Sequence, residues 1–145
     1  MEGEPIERET LDYEFECSNE KDGRKYNWKI GVTEDIINIT ITDKTNNIEN
    51  YKTSIKYRKK YSKKELDEKN QNFLIFNEMT SLAKELEERL TNNTYDLSDN
   101  INDITISFKK EDDNKQIRQF DIKVPIRQNS DSNLLMSKIL IILKN

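Results

Sequence analysis

The sequence predicts an α+β fold: two antiparallel sheets of about four and three strands packed as a β-sandwich, a helix pair between strands four and five, and a C-terminal helix. Three observations predict it. Apolar residues alternate from Leu11 to Tyr57, recur at helical spacing from Ser62 to Leu90, and alternate again from Tyr95 to Val124. Each alternating run has one polar face, the pattern of antiparallel strands with a wet side.

Residues 1–9 read as a mobile acidic leader, and 10–127 as one domain. Strand one, near 10–17, sets Leu11, Tyr13, Phe15 and Cys17 against Asp12, Glu14 and Glu16. Asn19 to Gly23 reads as a turn. Strand two, about 25–32, presents Tyr26, Trp28, Ile30 and Val32 on one face. After a short turn at Thr33-Glu34-Asp35, strand three (36–42) presents Ile37, Ile39 and Ile41. Asp43 to Asn47 turns the chain, and strand four (49–57) presents Tyr51, Thr53, Ile55 and Tyr57. Short connections make these four a meander.

The helix pair spans 62–91. Ser62-Lys63-Lys64-Glu65 has the form of a capping box. The short first helix carries Leu66 inward, and Phe73, Leu74 and Phe76 pin the corner to the sheet. The second helix, 76–91, sets Met79, Leu82, Ala83, Leu86 and Leu90 in one stripe, with Glu85 and Arg89 in a favourable i, i+4 pair. Strands resume at 94–98, 103–109 and 115–125, with a hairpin at Glu111 to Asn114. The predicted core comprises Tyr13, Phe15, Trp28, Ile30, Ile39, Ile41, Ile55, Leu66, Phe73, Phe76, Leu82, Leu86, Ile104, Ile106, Phe120 and Ile122.

Residues 131–145 read as a C-terminal helix, either capping the domain or starting a coiled coil. Its apolar side chains, with Leu135, Ile139, Ile142 and Leu143 as the candidate association surface, pass around too much of a helix to face water. A final buried strand is the alternative.

Charge and chemical inventory narrow the function by exclusion. Net charge is −4, so the chain as a whole makes no electrostatic case for nucleic acid or membrane. There is no histidine, which removes His-based acid–base catalysis and His-ligated metals. The single cysteine, Cys17, cannot build a zinc site and falls on the core face of strand one. Gly3, Gly23 and Gly31 are too scattered for a phosphate loop. The acidic groups Asp96-Asp99-Asp103 and Asp112-Asp113 lack the ligand pattern of a calcium loop and read as solvated turns. No catalytic residue, cofactor or metal ligand is therefore expected.

The N-terminus is acidic and lacks an apolar stretch, which predicts no signal peptide. No segment has the length of an apolar membrane span. With one cysteine, this suits a cytoplasmic protein, with cytoskeletal or nuclear placement as variants. Heavy use of Asn, Lys and Ile, with one alanine, points to an AT-rich genome of a unicellular eukaryote.

One charge feature stands out. Lys52, Lys56, Arg58, Lys59, Lys60, Lys63 and Lys64 are interleaved with Tyr57 and Tyr61. As a site, this stretch would contact phosphates of nucleic acid, an acidic lipid surface or an acidic protein partner. As a structural feature, it would be a solvated strand end and loop whose lysines protect an edge.

Tyr51-x-x-Ser54, Glu65-Leu66, Asn70-x-x-Phe73-x-x-Phe76 and Met79-x-x-Leu82 resemble a poorly characterised domain of protist proteins, over about residues 24–125. That domain usually precedes coiled coils or partner-binding modules. The chain departs from it at Lys56 to Ser62, where extra basic residues lengthen the strand-to-helix link. The order of elements is also similar to the head domains of the centriolar cartwheel protein and of DNA end-joining scaffolds, which implies dimerisation and scaffolding. It shares strand counts with the pleckstrin-homology fold, which has no helix pair at this position. The expected function is a non-enzymatic interaction or scaffold module that binds protein partners and forms homodimers through the C-terminal helix. The alternative is a phosphate-directed binder using the basic stretch.

Overall fold

A computed structural model describes residues 11–44 and 55–127. Among the described residues, seven strands form two antiparallel sheets, in the orders β1-β2-β3-β4 and β5-β6-β7. The strands are β1 (Tyr13–Lys21), β2 (Arg24–Thr33), β3 (Ile36–Asp43), β4 (Ile55–Ser62), β5 (Asp96–Asp99), β6 (Asp103–Glu111) and β7 (Ile117–Pro125). Between β4 and β5 lie helix α1 (Lys63–Lys69), a 3-10 turn (Gln71–Ile75) and helix α2 (Met79–Asn92). The predicted leader 1–9, the C-terminal helix 131–145 and the first part of predicted strand four lie outside the described residues.

Alternation governs the first sheet. Tyr26, Trp28, Ile30 and Val32 of β2 are buried, as are Ile37, Ile39 and Ile41 of β3. Trp28 stands opposite Cys17 on one side and Ile41 on the other, and Ile41 opposite Tyr57, so one inward row crosses all four strands. The first hairpin is tighter than predicted. β1 runs on to Lys21, and Asp22 and Gly23 alone make the turn, with φ of 54° and 81°. Two consecutive positive φ values are what a two-residue turn between right-twisted strands requires.

Strand four runs further than its predicted end. The sequence places it at 49–57, whereas the described strand β4 (Ile55–Ser62) continues to Ser62. The phase survives: Ile55, Tyr57 and Tyr61 are buried, and Lys59 occupies the one inward position without an apolar side chain. Lys59 resolves this by carrying its ammonium over the Tyr61 ring, 5.3 Å from the centroid. The basic residues therefore do not lengthen a link. β4 ends at Ser62, and Ser62 is the N-cap of α1.

The predicted capping box is present in both directions. The Glu65 amide donates to the Ser62 hydroxyl, and the Ser62 amide donates to the Glu65 carboxylate at 2.9 Å. Asn70 then closes α1 and opens the 3-10 turn, its side chain accepting from the Asn72 amide. Asn70 and Asn72 both donate to the Gln119 carbonyl of β7, at 3.2 and 2.9 Å. The three-residue repeat of the turn puts Phe73 and Phe76 on one side, buried against Phe120. Leu74 is rotated outward and 60 % exposed, so it does not pin the corner as the sequence suggests. On α2 the predicted stripe (Met79, Leu82, Ala83, Leu86, Leu90) is buried in full.

Every predicted core residue is buried except Tyr13, which packs half-exposed against the cluster and donates its hydroxyl to Glu87 of α2. Residues of both sheets and of the helices form one hydrophobic cluster. Phe120 stacks on Phe108 at 5.0 Å and meets Phe73 edge-on at 5.2 Å. Trp28 buries its ring and donates from Nε1 to Asn19, whose amide in turn donates to the Leu90 carbonyl near the end of α2. The sheets touch directly beside β4: Tyr57 bridges to Ile126, and the Tyr61 hydroxyl donates to the Lys123 carbonyl.

Candidate functional site

The basic stretch is contiguous in sequence and divided in space. Strand geometry sends alternate side chains to opposite faces. Lys56, Arg58 and Lys60 project from the outer face of the first sheet, while Lys59 lies over Tyr61. Lys63 is committed to structure: its ammonium pairs with Asp67 and donates to the Phe73 carbonyl at 3.1 Å. Lys64 lies exposed on α1, and Lys52 is outside the described residues, as are Leu135, Ile139, Ile142 and Leu143. The structure thus brings together three of the seven predicted basic residues and adds Arg127. The Arg127 amide donates to the Lys56 carbonyl at 2.8 Å, and the residue borders the same face.

This outer face is a concavity of about 600 Å³. Its floor follows from the strand register. Lys60 stands opposite Asn38, then Gly31, then Glu14. Arg58 stands opposite Thr40, then Lys29, then Glu16, and Lys56 opposite Thr42, then Asn27. Charge therefore changes across the sheet, from cations on β4 through hydroxyls and amides on β3, and Asn27, Lys29 and Gly31 on β2, to carboxylates on β1. Arg58 touches Asn38 only at the outer limit of a hydrogen bond, 3.5 Å. Among the described residues, none of Lys56, Arg58 and Lys60 forms an ion pair. At one end, Leu11 and Ile36 are 42 % and 40 % exposed and line the same concavity. Leu11 lies across Gly31, where a Cβ would meet its Cδ2 at 3.6 Å. Tyr57 and Tyr61, interleaved with the lysines in sequence, turn into the core, and among the described residues no aromatic ring borders this face.

A second polar assembly was not legible in the sequence. Arg24 of β2 pairs with Asp43 of β3 at 3.3 Å and with Asp99 of β5 at 3.4 Å. The Tyr26 and Tyr57 hydroxyls donate to the two oxygens of Asp99 at 3.3 and 3.4 Å. Burial first, and then the Asp99 and Asp43 carboxylates, push both phenols well above their ordinary range. Asp43 is 6 % exposed, and the Asp99 side chain, 15 % exposed at the end of β5, is not the solvated turn residue that the sequence suggests. No sequence signal marks this, because Arg24 and Asp43 meet through the pairing of β2 with β3, and Asp99 reaches them from the other sheet.

The remaining candidates are structural. Asp112 accepts first from the Gln116 amide, then from Arg118 and the Asn114 amide, which order the β6–β7 hairpin and, against desolvation, hold its carboxyl below the usual range. Cys17 is half-buried, and burial pushes its thiol up, with Glu87 and Glu16 acting in the same direction. A protonated thiol there is a poor nucleophile. Among the described residues, no group of three or more Asp, Glu or Cys is placed to hold a metal ion, and no helix is long and apolar enough to cross a membrane. No protein-family model matches the chain, and no curated protein matches it.

Proposed function

We propose that this chain is a non-enzymatic interaction module of a larger assembly, and that the outer face of the four-stranded sheet receives an acidic partner. The observation that carries the reading is the row Lys56, Arg58 and Lys60: three cations on one strand face, none in an ion pair among the described residues, beside a floor of hydroxyls and amides that also carries Lys29. Structural cations in this fold are paired, as Arg24, Lys63, Arg89 and Arg118 are. Those of β4 are left to interact with something else. The two sheets closing as a sandwich would hold this face rigid. In the same proposal Leu135, Ile139, Ile142 and Leu143 supply a self-association surface, which light scattering of the chain with and without residues 131–145 checks.

The test of the docking face is binding of polyglutamate to the full chain and to the K56E/R58E/K60E variant across a salt series. Binding that weakens with salt and is lost in the variant supports the reading. Equal binding by both proteins contradicts it. Phosphate recognition is the second reading, favoured by the addition of Arg127 to the three β4 cations. It predicts that an oligonucleotide or a phosphoinositide vesicle outcompetes polyglutamate.

A further inference from the structure

Resting on that reading, we infer that the ligand of the outer face is an extended acidic peptide with an apolar residue beyond its acids, lying over β3 and β4. Three features of the face point to it. The first is repeat distance. Lys56, Arg58 and Lys60 are alternate residues of one strand, so their backbone origins are spaced by about 6.7 Å. An extended peptide with acids at alternate positions has the same repeat and meets all three cations at once.

The second is width. The opposite side of the concavity carries Glu14, so a broad anion spanning the face would meet a carboxylate as well as the cations. A bilayer and a nucleic acid duplex are both broad. An extended peptide is one strand wide and can follow the basic side alone. Single-stranded nucleic acid is also narrow, but it binds proteins largely by stacking bases on aromatic rings. Tyr57 and Tyr61 point inward, and among the described residues no aromatic side chain borders the face.

The third is the apolar end. The cation row runs toward Ile36, which stands opposite Ser62 and lines the concavity with Leu11. Exposed apolar carbon beside Lys60 has no use for a phosphate and complements a leucine-type side chain.

Fluorescence anisotropy with labelled synthetic peptides tests this. One probe has glutamates at three alternate positions and a leucine two residues further on, and its control has serine in place of leucine. A single-stranded oligonucleotide and anionic lipid vesicles are the competing probes. The leucine peptide should bind best, about tenfold tighter than its serine control. K56E/R58E/K60E should abolish binding, and L11S/I36S should remove the preference for leucine while leaving charge-dependent binding. Circular dichroism checks that both variants fold. If both peptides bind equally, or the oligonucleotide or the vesicles bind as tightly as the leucine peptide, and all binding is lost in the charge variant, this ligand assignment falls while the docking face stands. If no probe binds, or the charge variant binds as the parent does, both fall.

Discussion

Arg24 of β2 and Asp99 of β5 stand 3.4 Å apart and tie one sheet to the other. The Asp99 carboxylate also accepts from Tyr26 and Tyr57, so one side chain of the smaller sheet gathers three donors of the larger. Asp99→Ala should destabilise the protein by about 2–3 kcal/mol, since it removes one member of a largely buried charged network. Asp99→Asn keeps an acceptor and should cost about 1 kcal/mol. Urea titrations of the two variants check the order. Equal, negligible losses would show that this network contributes nothing to holding the sheets together.

The aromatic contacts around Phe120 predict a larger effect. Phe120 is fully buried, stacks on Phe108 and meets Phe73 and Phe76 from the helical corner. Phe120→Ala should cost about 3–5 kcal/mol by thermal or chemical unfolding. Asn70→Ala, which removes the side chain that both caps the 3-10 turn and donates to β7, should cost about 1–2 kcal/mol.

Lysines of the basic stretch should separate into two behaviours. Lys63→Ala loses an ion pair with Asp67 and a hydrogen bond to the Phe73 carbonyl, and should cost about 1 kcal/mol. Changing Lys56, Arg58 and Lys60 together to Glu should change stability by less than about 1 kcal/mol, because among the described residues it breaks no ion pair and only the 3.5 Å contact of Arg58 with Asn38. Melting temperatures of the two variants give the comparison directly.

Stability should be flat across the neutral range and fall at both ends. The chain has no histidine, so no imidazole titrates there. At the acid end, burial alone would raise Glu85, but hydrogen bonds from Arg89 and Lys110 outweigh it and hold the carboxyl low. The Ser62 amide, against a small opposing desolvation, does the same for Glu65. A depressed carboxylate stabilises the fold above its unfolded pKa, and that stability is lost as pH falls through the lower folded value. At the alkaline end, burial raises Tyr26, Tyr57 and Tyr95, the last to about 12. A raised phenol contributes fully below its unfolded pKa of about 10, and its contribution is lost as pH climbs through the folded value. Thermal melts should therefore show a plateau bounded by the carboxylate range and by about pH 10. A transition centred near neutrality would contradict this.

Much of the fold was legible because burial has a period. Ile37, Ile39 and Ile41 announce a strand face, and Met79 to Leu90 a helix stripe, without any knowledge of partners. The limit of that signal is visible at β4. Lys59 occupies an inward position, breaks the apolar alternation and hides the strand's true end at Ser62, although Tyr61 keeps the phase. Charge position was less legible than charge content. Seven basic residues form one run in the sequence, but strand and helix geometry send the side chains of the six described ones in separate directions. Arg24, Asp43 and Asp99 form the reverse case, joined in space with nothing in their local sequence to announce it.

The most direct test of the account is amide chemical-shift mapping of the folded chain during titration with the leucine-bearing acidic peptide. The account predicts perturbations along residues 38–42 and 56–60 and around Leu11 and Gly31, all absent in the K56E/R58E/K60E protein. Perturbations confined to α2 or to the β5–β7 sheet, or the same pattern persisting in the charge variant, would contradict it.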